Sequence, residues 1–326
     1  MSLNRKVVFL TAVCLCLLTV RAQAFFGIKT NKIQNDIINR IESSYSQKNY
    51  DDVEELGREF LIKYPSASAK KLKKVYMLLG SAYEAEKQYD KAMLVYNEAA
   101  EFLPKDTDIH LALADIYLNG GLTENAKTVY NKVLKLDKDN KAAILGLAKS
   151  YYEEGFFSRA CTYFKQYNDS GAQEPADFLY YYAMAEYLSN HNDTALKIAY
   201  SSLIKKNDAD GYLLLAKIYK NKNDWENSLK YLDKALEQDP SRNDIYLTKT
   251  LWLAFNVKTY AQGLKMAEDF LKQYPSDKLA LFAKYIALFR AGETKKAQEQ
   301  LMQIAAFEGD SFIERLSLKL YQKTAK

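Results

Sequence analysis

The stretch GSAYEAEKQYDKAMLVYNEAAEFLP, residues 80–104, places glycine, alanine, tyrosine and proline at spacings that recur further along the chain. A shift of 34 residues aligns Tyr83 with Tyr117, Ala92 with Ala126, and Tyr96 with Tyr130. A repeat of this length is typical of proteins built from stacked helix-turn-helix units. The pattern therefore predicts a pair of packed helices, and its recurring residues are poor candidates for a site of chemistry.

The recurring residues fall into large and small ones when the unit is counted from Lys73 as position 1. Large side chains occupy positions 4, 11 and 24 (Tyr76, Tyr83, Tyr96), and small ones occupy positions 8 and 20 (Gly80, Ala92). Spacings of three and four residues put each set on one face of a helix, so the small residues let two helices cross closely. The large side chains fill the space around the crossing, each contributing on the order of 1.5–3 kcal/mol. Pro104 cannot continue the second helix and ends the unit.

The pattern resembles the tetratricopeptide repeat at every signature position, and it recurs in the unit Ala209–Pro240. The resemblance implies an all-α fold: a right-handed superhelical solenoid of antiparallel helix pairs, with about eight repeats over residues 34–309. We expect residues 25–33 to form an N-terminal segment and residues 310–326 to form a helix that caps the exposed end of the stack.

Residues 1–24 predict a secretory signal peptide that is cleaved after Ala24. Basic Arg5 and Lys6 precede the apolar run Val7–Val20, and the small-residue motif AQA ends at Ala24. The run is short for a membrane span, which needs ~20 apolar residues, although a retained anchor is the alternative. We therefore expect an exported protein that is periplasmic, with secretion as the other destination.

Removal of the signal peptide leaves 43 basic and 41 acidic residues, so no concentrated positive surface remains for nucleic acid. Only Cys161 remains of the three cysteines, which excludes an intramolecular disulfide. The two histidines, His110 and His191, fall at a packing position and in a polar turn, where structural or solvated roles are expected. The sequence thus predicts a protein that is not an enzyme and that uses no cofactor or metal.

The resemblance implies that the first helix of each unit lines a concave groove and that positions 2, 5, 9 and 12 face a protein or peptide partner. Carried onto this sequence, those positions predict partner contacts at Leu111, Asp115, Leu145, Lys149, Tyr152, Tyr180, Met184, Tyr187, Leu213, Lys217, Leu247, Leu251, Phe282, Ile286 and Phe289. A subgroup of the family clamps carboxyl termini with Lys and Asn at positions 5 and 9. Position 5 is Met or Leu in this chain, so that clamp is missing.

Two first helices carry more apolar residues than packing within one unit requires. The stretch 178–187 crowds aromatic residues into an irregular unit whose small residues, Ala183 and Ala195, fall one position late. The stretch 278–292 is apolar nearly all round, so it must be covered on every side. The capping helix, a partner, or a second copy of the chain in a homo-oligomer can supply that cover.

Two classes of function remain open. The leading hypothesis is an exported scaffold or adaptor that holds partner proteins in its groove, as part of a cell-envelope assembly, a pilus or a secretion machine. The alternative is a protein associated with the cell wall or with polysaccharide, in which aromatic residues such as Tyr180 and Tyr187 stack on sugars. The identity of a partner is not encoded in the packing pattern.

Overall fold

A computed structural model describes residues 29–172, 175, 177–306 and 312–324, so the predicted signal peptide lies outside the described residues. The chain divides into two compact units, Met1–Ala172 and Gln173–Lys326. Both units are built from α-helices, and the described residues contain no strand. The predicted all-α helical repeat solenoid is confirmed.

The described part of the first unit, residues 29–172, holds four helix pairs. Its helices are α1 (29–46), α2 (Tyr50–Lys63), α3 (Ala69–Ala85), α4 (Tyr89–Phe102), α5 (Thr107–Asn119), α6 (Thr123–Leu136), α7 (Lys141–Glu153) and α8 (Phe157–Asp169). Within its described residues, the second unit holds four further pairs and a last helix. Its helices are α9 (Phe178–Leu188), α10 (Asn192–Lys205), α11 (Ala209–Asn221), α12 (Trp225–Gln238), α13 (Asn243–Phe255), α14 (Tyr260–Gln273), α15 (Lys278–Arg290), α16 (Thr294–Ala305) and α17 (Phe312–Thr324).

Each unit is arranged in two layers of helices. Odd-numbered helices are the first helices of the pairs, and even-numbered helices are the second. Some successive first helices touch directly, as α5 touches α7, α9 touches α11 and α13 touches α15, whereas successive second helices of the described chain do not approach as closely. Closer spacing on the first-helix side is what the predicted groove requires, since the layer with the shorter spacing lies on the concave side of a curved stack.

The helix crossings have the small and large residues that the repeat pattern predicts. Ala92 and Ala126 are fully buried, as are the rings of Tyr96 and Tyr130. A Cβ atom at Gly80 would overlap the Tyr96 ring, which explains why position 8 is small. The aromatic ring of the second helix thus lies directly on the backbone of the first.

The turns between the two helices of each pair recur at the period of the array. Most of these turns contain one residue with positive φ, a conformation that glycine and asparagine adopt most easily. Lys87, Gly121 and Gly155 lie 34 residues apart, Asn190 follows 35 residues later, and Asn223 follows after 33. The irregular repeat, which contains α9 and α10, is therefore shifted by one residue, and the following repeat restores the original register. Ala183 and Ala195 are both fully buried, as the shifted register predicts.

Several first helices begin at an acidic or amide residue that caps the free backbone N–H groups. The Asp106 carboxylate accepts hydrogen bonds from the N–H groups of Asp108 and Ile109, at 3.1 and 3.2 Å. Asn140, Asp208 and Asp277 accept in the same way at the starts of α7, α11 and α15. Such caps stabilise a helix by about 1 kcal/mol each. They fix where these four first helices, α5, α7, α11 and α15, begin.

The terminal helix α17 packs on α15 and α16, in the manner of the first helix of one more pair. Ile313, Leu316 and Leu320 of α17 lie against the buried cluster that contains Phe282 and Leu301. The capping helix therefore covers part of the apolar helix α15. Across the described residues, no helix combines the length and the apolar character that crossing a bilayer would need.

Candidate functional site

The predicted contacts of the first unit lie on α5 and α7. Leu111, Leu145 and Tyr152 are half-buried, and Asp115 and Lys149 are exposed. Leu111 packs on the core that contains Tyr130 and Leu147. The face therefore presents apolar side chains beside one negative and one positive charge. These residues are accessible to a partner, and their binding role remains a prediction.

The Asp115 carboxylate is held by a tyrosine from the second layer of helices. The Tyr130 hydroxyl of α6 donates to the Asp115 carboxylate of α5. Surrounding protein raises the pKa of Asp115, while the Tyr130 bond and the charge of Lys149 act in the opposite direction. One pair earlier, the Tyr96 hydroxyl donates to the Glu84 carboxylate at 2.6 Å. The tyrosines at position 24 of these repeats, Tyr96 and Tyr130, thus hold carboxylates on the first helices in place. The packing pattern alone did not predict this role.

The predicted contacts of the second unit include a connected aromatic and apolar face on α9 and α11. Tyr180, Met184, Tyr187 and Leu213 are half-buried and pack against one core, which contains Leu214 and Ala183. Burial raises the pKa of the Tyr187 hydroxyl, and an interaction with Asn221 acts in the opposite direction. The stacking of Tyr180 and Tyr187 on sugars remains a prediction.

A lysine and a tryptophan meet on the same face, a contact that the sequence pattern did not reveal. The Lys220 ammonium of α11 lies 4.5 Å from the ring centroid of Trp252 on α13. Burial lowers the pKa of Lys220. Lys217, a predicted contact one turn earlier, is also half-buried. A lysine at position 12 followed by an aromatic residue on the next first helix is the signal that could have identified this pair.

Two of the predicted partner contacts are buried within the chain, which corrects the prediction for them. Leu247 is only 9% exposed and packs against Phe270 and Ala280. Phe282 is 8% exposed and lies in the C-terminal cluster. Helices α13 and α15 contact each other closely, so these positions serve the core instead of a groove.

The other predicted contacts of the C-terminal region differ in accessibility. Leu251 and Ile286 are half-buried against two neighbouring clusters, and Phe289 is 52% exposed. One side of the Phe289 ring contacts the ring of Tyr285, and the other side of the Phe289 ring is open to solvent. A homo-oligomer through these repeats remains a prediction, with Phe289 as its most accessible aromatic contact.

His110 is a buried packing residue, as its position in the repeat predicts. Its Nε2 lies 3.0 Å from the Pro104 carbonyl oxygen, and its buried Nδ1 has no hydrogen-bond partner among the described residues. Burial, and secondarily the charge of Lys132, lowers the pKa of His110. The folded unit therefore favours the neutral imidazole.

This burial predicts a pH-dependent stability of the first unit. Because the pKa of His110 is lower in the folded state, its contribution is fully present above the unfolded pKa of about 6.5 and is lost as pH falls below it. We expect the urea midpoint of the wild-type chain to fall between about pH 6.5 and pH 5, and His110→Gln to weaken that dependence. Equal pH profiles for the two proteins, measured by circular dichroism, would contradict this expectation.

Comparison with known proteins agrees with the helix-pair architecture. Models of the tetratricopeptide repeat match residues 73–116, 107–140 and 209–242. These matches begin at the unit boundaries that the sequence pattern predicts. A TPR repeat-containing protein of Methanocaldococcus jannaschii, MJ1428, is 25% identical over 321 residues, which cover 87% of this chain and 54% of that protein. The BBSome complex member BBS4 of Bos taurus is 31% identical over 90 residues, or 28% of this chain and 17% of that protein.

The chain thus spans about half or less of the curated relatives it matches. Solved structures show the same fold at low identity. A tetratricopeptide repeat protein of Parabacteroides merdae superimposes with a TM-score of 0.54 at 16% identity, over 90% of this chain and 99% of that one. The C-terminal part of a TPR repeat-containing protein of Cytophaga hutchinsonii gives 0.61 at 16% identity, over 76% and 98%. YrrB, described as a TPR protein with an unusual peptide-binding site, gives 0.50 at 21% identity, over 58% and 97%. Repeat matches and helix pairs agree that this chain contains tetratricopeptide repeats, which the family models match at residues 73–140 and 209–242.

Proposed function

We propose that this protein is an exported scaffold that holds a segment of a partner protein on its first-helix faces, within a cell-envelope assembly, a pilus or a secretion machine. The repeats themselves support a protein-protein interaction scaffold. The observation that carries the finer proposal is the half-buried face of Tyr180, Met184, Tyr187 and Leu213 in the second unit. Aromatic and Met side chains are enriched at protein interfaces because they supply large contact areas.

Two further observations support the proposal. YrrB, which shares the fold, has a peptide-binding site according to its description, and a partner segment on this chain would be bound in the same general mode. The signal-like sequence of residues 1–24 supports export. The near balance of acidic and basic residues beyond it also favours a protein partner over nucleic acid.

Site-specific photo-crosslinking from Leu213 in fractionated cells tests the binding face and the location together. We expect Leu213 to give discrete crosslinked products in the envelope or periplasmic fraction, because this half-buried residue lies on the proposed face. Ile204 of α10 is the matched control, since it is 87% exposed but belongs to a second helix. Equal products from both positions would contradict a partner specific to the first-helix face.

Leu213→Asp should reduce recovery of the crosslink-identified partner by roughly tenfold or more, since a carboxylate on an apolar contact must be desolvated. Helical content should stay unchanged, because Leu213 is half-buried and Leu214 and Leu215 fill the core beside it. Circular dichroism and quantitative co-purification measure the two effects. Full recovery of the partner would contradict the proposed face, and loss of the protein from the exported fraction would contradict the proposed location.

A further inference from the structure

Two half-buried lysines on α11 differ from several other lysines of the second unit, which pair with acidic residues. Lys206 pairs with Asp208 at 3.0 Å, and Lys222 and Lys249 pair with Asp193 and Asp233. Lys217 and Lys220 form no ion pair within the part of the chain that the structure describes, although both are half-buried. Half-buried cations without anions keep most of their positive potential for an incoming group.

The position of Lys220 is set by the Trp252 ring. An ammonium 4.5 Å from the ring centroid is within the range of a cation–π contact, which holds the charge at a fixed place. The lowered pKa of Lys220, caused by burial, is consistent with a cation that no carboxylate compensates. Lys217 lies three residues earlier on the same helix, where i and i+3 side chains are neighbours.

The surroundings of the lysine pair are apolar. Leu213 lies one turn before Lys217, and Tyr187 of α9 reaches Asn221 beside Lys220. On the first unit, the corresponding lysine Lys149 faces a carboxylate, because its charge acts on Asp115. Only the second unit of the described chain therefore offers this combination of uncompensated lysines with leucine, tyrosine and tryptophan.

We propose that Lys217 and Lys220 bind side-chain carboxylates of an acidic and apolar partner segment, whose apolar residues contact the half-buried Leu213 and Tyr187 beside the Lys220 ammonium. The inference rests on the proposed function and specifies its ligand chemistry. The carboxylates would form charge-assisted hydrogen bonds with the two ammonium groups in a partly desolvated setting. Apolar residues on either side would cover the half-buried side chains of Tyr187 and Leu213.

Trp252 provides a direct reporter of this binding. The chain has two tryptophans, so Trp225→Phe leaves Trp252 as its single indole. The probe is a short peptide of glutamate, leucine and serine, blocked at both ends, and the comparison peptide replaces every glutamate with glutamine. Because both termini are blocked, binding of the first peptide reports side-chain carboxylates and not a chain terminus. Fluorescence titration of the full chain in the Trp225→Phe background yields both affinities.

We expect the glutamate peptide to bind at least roughly tenfold more tightly than the glutamine peptide, since hydrogen bonds to charged groups are the stronger class. Its affinity should fall as ionic strength rises from about 0.05 to 0.3 M. The double substitution Lys217→Gln with Lys220→Gln should remove the preference. Lys234→Gln is the matched control, because Lys234 of α12 also lies on aromatic rings, 5.4 Å from that of Tyr231.

Equal affinities of the two peptides for the wild-type chain, or failure of both to bind, would overturn the inference. Loss of the preference in Lys234→Gln would overturn it as well, since the effect would then follow net charge alone. If the double variant loses helical content, the wild-type affinities and their salt dependence decide the question. Crosslinking at Leu213 is independent of these peptides: crosslinks without a glutamate preference would reject the ligand chemistry alone, and loss of both would reject the proposed function.

Discussion

Gly146→Ala is expected to lower the free energy of unfolding of the first unit by about 2–4 kcal/mol, a large effect for one methyl group. Gly146 lies inside α7, and a Cβ atom built there would overlap the Tyr130 ring of α6. The ring is fully buried and its hydroxyl bonds to Asp115, so it has no free space to occupy. The added methyl group must therefore displace the ring, the helix, or both.

Gly57→Ala is the matched control for this prediction. Gly57 is also a buried glycine inside a helix, α2, but a Cβ atom there would meet Leu79 at an ordinary 3.6 Å. Alanine favours a helix over glycine by about 0.5–1 kcal/mol, so this variant should be neutral or more stable. Urea denaturation followed by circular dichroism compares the two proteins. Similar midpoints for both variants would show that Tyr130 moves aside at little cost.

The sequence pattern predicts the packing within each helix pair, but it does not predict the contact that Gly146 makes between pairs. Positions 8 and 20 were predicted to be small because they lie at the crossing within one pair, and Gly80 and Ala126 confirm this. Gly146 occupies position 6, where it contacts a ring from the preceding pair. Contacts between pairs depend on the angle at which they stack, which a single repeat does not encode.

The candidate face was predicted less completely than the core. The family positions correctly lead to accessible residues on α11, such as Leu213 and Lys217, whose binding role still awaits a test. They also lead to Leu247, which lies in the core because α13 and α15 approach closely. The Lys220 and Trp252 contact was missed because it joins two first helices through side chains. Contacts between side chains of neighbouring repeats depend on how the repeats stack, so the pattern within one repeat does not predict them.

Phe282→Asp is expected to destabilise the C-terminal pairs by about 3–5 kcal/mol. The sequence alone predicted Phe282 to be a partner contact in the groove, but Phe282 is buried in a cluster with Leu281, Leu301 and Ile304. An aspartate there would bury a carboxylate and leave a cavity. The expected result is faster hydrogen exchange throughout α15, α16 and α17, with smaller changes elsewhere, because repeats are coupled chiefly to their neighbours.

Phe289→Asp is the matched control, since it makes the same chemical change seven residues later on the same helix. Phe289 is 52% exposed, so its replacement should change stability by less than about 1 kcal/mol. If the two variants show equal exchange rates in α16 and α17, the buried position of Phe282 is wrong. If Phe289→Asp alone abolishes a concentration-dependent increase in mass, the exposed ring joins two copies of the chain. The paired variants therefore separate the residue that supports the fold from the residue that is available to a partner.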